Sequence, residues 1–119
     1  MKKDLITVFL GLLSQLKVLH WQTETYSRHM AYDRIYESMG GLVDTFIEAY
    51  QGKKGRIRVT EAINLINIDG DINCFIESYL TFFTVELPES LNEDDVDLLA
   101  IRDEMVQELN VLKYLLTLK

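Results

Sequence analysis

Proline, glycine and cysteine are all scarce in this chain. One proline and six glycines among 119 residues leave few obligatory breaks, which excludes a Gly/Pro-rich disordered chain and favours long helices. The single cysteine, Cys74, excludes an intramolecular disulfide, so a reducing cytoplasm is the expected compartment. Uninterrupted apolar runs are missing too. The N-terminal stretch "MKKDLITVFLGLLSQLKVLH" mixes polar residues through its apolar ones, so neither a signal-peptide core nor a membrane span is expected, and the chain reads as soluble. Positive charge is in deficit. Twelve Lys and Arg against 19 Asp and Glu give a net charge of −7, which argues against general binding to nucleic acid, since phosphate repels an acidic surface.

The one basic patch is "KKGRIR", residues 53–58. It reads as a solvated loop after a helix, where positive charge suits the C-terminal dipole. The rival reading is a local anion or DNA contact through Lys53, Lys54, Arg56 and Arg58.

What the chain has is periodicity. Hydrophobic residues make up 48% of it. From about Lys3 to Gln22, Leu5, Phe9, Leu12, Leu13, Leu16 and Leu19 recur at three- and four-residue steps, the mark of one apolar helix face. "TETYS" interrupts, and Ser27 is the expected N-cap of a second helix running to Gln51 and ending at Gly52. Its stripe is Tyr32, Ile35, Tyr36, Met39, Leu42, Val43, Phe46 and Tyr50. A long connection follows, expected to hold a short helix around Thr60 to Ile66. Asp69 or Asp71 is the expected cap of a third helix that stops near Pro88, and a fourth repeats Leu98, Ile101, Met105, Leu109, Leu112 and Leu116. Residues 1–119 therefore read as one all-α domain, a four-helix bundle whose longer connection, between helices two and three, is where a crossover would lie. "NLINIDGDINCFIE" imitates a calcium loop. Leu65 and Ile76 occupy the positions where the first aspartate and the closing glutamate are needed, so its aspartates read as turn and cap residues.

The chemistry gathers on the second helix. At about 100° per residue, with His29 at zero, Asp33 falls near 40°, Asp44 near 60° and Glu48 near 100°. All four border the apolar stripe, with Gly40 on the same line. Acidic residues there need a positive partner, either a metal ion or a lysine. Eleven residues at about 1.5 Å rise separate Asp33 from Asp44 by roughly 16 Å, too far for one ion. Two half-sites result, and antiparallel packing of two copies about a two-fold near Met39 to Gly41 would join them. His20, on the apolar side of the first helix, is either a hydrogen-bonded core residue or a further ligand. Ion pairs at four-residue spacing explain part of the same set without a metal. Glu37, near 80°, reads as a solvated glutamate.

Lys17, His20 and Trp21 in "KVLHWQ", and His29, Asp33, Asp44 and Glu48 in "HMAYDRIYESMGGLVDTFIE", resemble the Dps-type mini-ferritins of the ferritin-like superfamily. The matching patterns are Lys-x-x-His-Trp and His-x3-Asp-x10-Asp-x3-Glu. The resemblance is specific over roughly residues 15–51. It implies a ferritin-like four-helix bundle with a short helix in the connection between helices two and three. It also implies Fe(II) oxidation by peroxide or dioxygen at ferroxidase sites shared by two subunits. His20, His29 and Asp33 of one chain would hold iron, or zinc as a substitute, with Asp44 and Glu48 of its partner. Trp21 would lie against the site, and Lys17 would pair with Asp33. The implied partner is a second copy in a homodimer, and dodecameric shells occur in the family.

Departures from the pattern are the nine-residue spacing of the histidines, about three shorter than usual, Gln22 after the tryptophan, and the lack of an extended lysine-rich tail for DNA condensation. Short ferritin-like proteins of tailed bacteriophages are also similar. Against the ferroxidase stands a non-catalytic helical dimer that binds another metal or a protein partner.

Overall fold

The structure, a computed structural model, describes residues 4–68 and 70–119. Among these residues it contains four α-helices and no strand: α1 (Leu5–Gln22), α2 (Tyr26–Lys54), α3 (Ile72–Thr81) and α4 (Val96–Leu115). Asp4 caps α1 by accepting the Thr7 N–H at 2.7 Å. Thr25, not Ser27, precedes α2, and Ser27 lies inside the helix with its hydroxyl oxygen buried and without a partner. The far end of α2 also runs further than expected. Gly55, at φ 94°, is the residue that leaves the helix, and Gly52 stays within it. That positive φ is the conformation glycine adopts without steric cost. Asp71 caps α3 through the Asn73 N–H, while the alternative cap Asp69 lies outside the described residues.

Contacts fix the directions. Lys17 reaches Asp33 across the α1–α2 hairpin, Ser38 and Lys53 of α2 reach Glu108 and Asp97 of α4, and Lys113 of α4 reaches Glu77 of α3. Tyr79 on α3 donates to the Val8 carbonyl of α1. Helices α1 and α2, α2 and α4, α3 and α4 are therefore antiparallel pairs, and α2 and α3 run the same way. Two parallel helices in succession need a return segment between them.

That return segment is extended, with no helix at Thr60 to Ile66. Side chains of α1 and its cap take its backbone groups one after another. Asp4 accepts from the Thr60 N–H at 2.9 Å, Thr7 donates to the Glu61 carbonyl at 3.3 Å, and Gln15 both donates to the Ile66 carbonyl and accepts its N–H, at 2.7 and 3.1 Å. Gln22 then meets Asn67. The order matches along both segments, so the strap runs beside α1 in the same direction. Ile57, Val59, Thr60, Ile63, Ile66 and Ile68 are β-branched and favour extended backbone over helix.

The core is aromatic at one end. Phe9 meets the rings of Phe46, Phe82 and Phe83 at centroid distances of 5.3, 5.9 and 5.9 Å. Away from it Leu12, Leu16, Ile35, Met39, Ile76 and Met105 are fully buried. The α-helix itself ends at Thr81, and a π turn (Phe82–Glu86) and a 3-10 turn (Leu87–Ser90) carry the chain to the expected stop near Pro88. Pro88 has no N–H for the carbonyl four residues back and crowds it, and the Leu87 N–H bonds Phe82, five residues back. Arg102 of α4 donates to the Phe83 carbonyl at 3.0 Å.

Helix α1 qualifies the membrane expectation. By length and mean hydropathy, 1.2 over 18 residues, it is long and apolar enough to cross a membrane, and 44% of it is buried inside the bundle. Its apolar side faces the core.

Candidate functional site

The α1–α2 hairpin places His20 and His29 face to face. Their rings stack at a centroid distance of 3.8 Å with 17° between planes. Nδ1 of His20 lies 2.8 Å from the His29 carbonyl oxygen, and Nδ1 of His29 lies 2.7 Å from the His20 carbonyl oxygen. A carbonyl oxygen only accepts, so each Nδ1 carries a hydrogen and donates. When an imidazole is neutral its Nε2 then holds the free lone pair, the state a metal requires. The short "TETYS" turn produces this crossed arrangement by starting α2 close to the end of α1. It was not legible in helical periodicity, which treats each helix alone.

Asp33, one turn beyond His29, has Oδ1 4.0 Å from His20 Nε2 and 3.4 Å from Lys17 Nζ. The Lys17 ammonium also sits 4.5 Å from the Tyr36 ring centroid, where the π face attracts it. The candidate residues His20, His29, Asp33 and Lys17 are thus brought together at one end of the bundle. Trp21 is not packed over them in the single chain. Its side chain is 70% exposed, as are Tyr26 and Met30 nearby at 75% and 49%.

Asp44 and Glu48 form a separate pair near the other end of α2, both exposed. The Glu48 carboxyl is raised above its usual range, first by its hydrogen bond with Asp44 and then by the charge of that neighbour. Two acids at this spacing repel when both are ionised. Between the two clusters, a Cβ at Gly40 or at Gly41 would meet nothing within 4 Å, so the outer side of α2 is open at its midpoint. Glu37 is exposed on the same side.

No three His, Cys, Asp or Glu side chains among the described residues are placed to hold a metal ion within one chain. A groove of about 900 Å³ between the strap and α3 is lined by residues such as Val8, Gln15, Ile66, Tyr79 and Phe82, and by none of the candidate ligands. Chemistry and cavity are therefore separate.

The basic patch divides. Lys53 and Lys54 belong to the last turn of α2 and are committed to α4, with Lys53 at 3.0 Å from Asp95 and 2.7 Å from Asp97, and Lys54 at 2.9 Å from Asp95. Arg56 and Arg58 are exposed on the strap.

A family model matches residues 20–116, described as a family of unknown function, DUF5856. The chain belongs to this family. The match begins at His20 and includes α2 whole. Among curated proteins, an uncharacterized 14.6 kDa protein of the mobD-ri intergenic region of Enterobacteria phage T4 is 40% identical over 52 residues. That similarity covers 40% of this chain and 41% of the relative's length. No solved structure matches the chain.

Proposed function

We propose that this DUF5856 member is a Dps-like protein that binds Fe(II) and oxidises it with peroxide or dioxygen, at sites shared between two antiparallel α2 helices of a homodimer. The observation that carries the reading is the reciprocal histidine lock, which fixes both Nδ1 atoms as donors and leaves Nε2 of each ring for a ligand, beside the Asp33 carboxylate. The second half comes from Asp44 and Glu48 of the partner, two carboxylates with no cation of their own. Imidazole and carboxylate together suit iron at open positions. Iron bound there supplies the one-electron chemistry, and the chain supplies donors, orientation and negative charge to balance the charge gained on oxidation. Lys17 holds Asp33 in place while the site is empty. The up-down-down-up course of the four helices supports a ferritin-like reading, although an extended strap stands where the resemblance implies a short helix.

The protein is expected to oxidise Fe(II) faster than buffer, and His29→Ala or Glu48→Gln is expected to slow it about tenfold or more, in the range of losing one positioned metal ligand. Oxidation by the intact protein at the buffer rate would sink the reading. Anomalous diffraction at the iron edge from soaked crystals is expected to place density between His29 and Asp33 of one chain and the partner's Asp44 and Glu48.

One observation favours a second reading. The Lys17 to Asp33 ion pair already neutralises that carboxylate, as a non-catalytic helical dimer without iron would require. Such a dimer, held by ion pairs and binding a protein partner, would show no Fe(II) oxidation and keep its dimer affinity under a chelator.

A further inference from the structure

The outer flank of α2 carries four acids and one free cation. On the helical wheel that starts at His29, Asp33, Asp44, Glu37 and Glu48 occupy about 40° to 100°, and Arg34 lies near 140°. Lys53 and Lys54 are taken by Asp95 and Asp97, and Lys17 by Asp33. Arg28 lies off this flank, against Tyr32. Arg34 is exposed and makes no ion pair or hydrogen bond with any described residue. The same flank therefore has an acid pair without a cation and a guanidinium without an anion.

Register links the two. An antiparallel pair of α2 helices about a two-fold anywhere from Met39 to Gly41 brings Arg34 of one chain level with the partner's residues 44–48. If the axis lies at Met39, Arg34 faces the partner's Asp44. If it lies at Gly41, Arg34 faces the partner's Glu48. The match does not depend on the axis position within that window, and the open midpoint at Gly40 and Gly41 permits the close approach. A planar guanidinium suits two carboxylates spaced one helical turn apart, because its donors fork.

We infer that Arg34 is the built-in counter-ion of the partner's Asp44 and Glu48, bridging them in the metal-free dimer and giving way to a divalent cation when one binds. This inference rests on the shared-site reading and deepens it, since Arg34 would set both the affinity and the salt sensitivity of the site. By linkage, a group that must be displaced weakens the ligand that displaces it.

The test uses the full chain and Mn(II), which binds without being oxidised by air on the timescale of titration. Sedimentation equilibrium measures dimer affinity without metal at low and high salt, and calorimetry measures Mn(II) affinity. Arg34→Gln is expected to weaken the metal-free dimer about three- to tenfold, the range of an exposed to half-buried ion pair. The variant should also lose most of the salt dependence and bind Mn(II) more tightly by a similar factor. Arg34→Lys, which keeps the charge but not the fork, is expected to fall between the two. Circular dichroism checks that each variant is as helical as the parent.

An Arg34→Gln dimer with unchanged affinity and unchanged Mn(II) binding overturns the role of Arg34 and leaves the shared site standing. A parent chain that stays monomeric with and without Mn(II) overturns the shared site, and the inference with it.

Discussion

At the scale of single residues, the decisive feature is which nitrogen of each histidine carries the hydrogen. Both Nδ1 atoms face carbonyl oxygens at 2.7 to 2.8 Å, so the neutral rings are held in the Nδ1–H form, the minor one in free imidazole side chains. Long-range proton–nitrogen correlation spectra above pH 8 are expected to show Nδ1–H for both His20 and His29, with the resonance of Nε2 shifting when Zn(II) is added. An Nε2–H pattern on either ring would contradict the lock. The flank of His29, Asp33, Asp44 and Glu48 was legible in the sequence because helix geometry alone places residues on a face. The stacking of His20 on His29 was not, because it depends on how closely two helices approach through a turn. Trp21 shows the same limit. Its place beside the histidine is written in the sequence, but its exposure is decided by what packs around it.

At the scale of elements, carboxylates fasten segments that apolar packing does not hold. The Asp95 carboxyl is held well below the usual carboxylate range by the Asn92 N–H and then by Lys54 and Lys53. For Asp4, burial pushes the carboxyl up, but N–H and hydroxyl groups of Thr60 and Thr7 outweigh it and bring the value down to about 2. A carboxyl whose folded value is depressed contributes stability above its unfolded value, about 3.9, and loses it as pH falls through the folded value. Urea unfolding over a pH series is expected to show Asp95→Asn and Asp4→Asn less stable than the parent at pH 7, the gaps closing as pH falls from about 4 towards 2. Gaps that stay constant would show that these carboxylates do not act through their charge. The four helices were legible because Leu12, Leu16, Ile35, Met39 and Met105 repeat at helical intervals. The strap was not, because the side chains that hold it extended, Asp4, Thr7 and Gln15, lie about 50 residues away in sequence. Ser27 and Gly52 misled for a simpler reason. Thr25 and Gly55 are the same kinds of residue two or three positions away, although Thr25 makes no side-chain cap bond.

At the scale of the whole molecule, the outer side of α2 is open at its midpoint in the single chain, and the proposed dimer would close it. Gly40 and Gly41 sit inside α2, where glycine costs about 0.5–1 kcal/mol relative to alanine, and a Cβ at either would meet nothing. Gly41→Ala is therefore expected to stabilise the monomer by about that amount while weakening the proposed dimer, in which the added methyl would stand between the two α2 helices. Unfolding at dilute concentration and sedimentation at high concentration should move in opposite directions. If both improve, that face is not the meeting point. The overall bundle was legible from stripe count and connection lengths, whereas the proposal of a shared site rests on the rise of a helix and the resemblance.

The strap also divides the chain in time. All five candidate ligands, and Arg34 with them, lie in residues 20–48, within the α1–α2 hairpin that precedes it. A ribosome therefore makes every candidate ligand before α3 and α4 exist, with the apolar side of Ile35, Met39 and Phe46 not yet covered by them. Domains synthesised in this order depend on late segments to cover early ones. Helices α3 and α4 bring none of the candidate ligands, and they complete the core around Ile35, Met39 and Phe46 only after that half has been made.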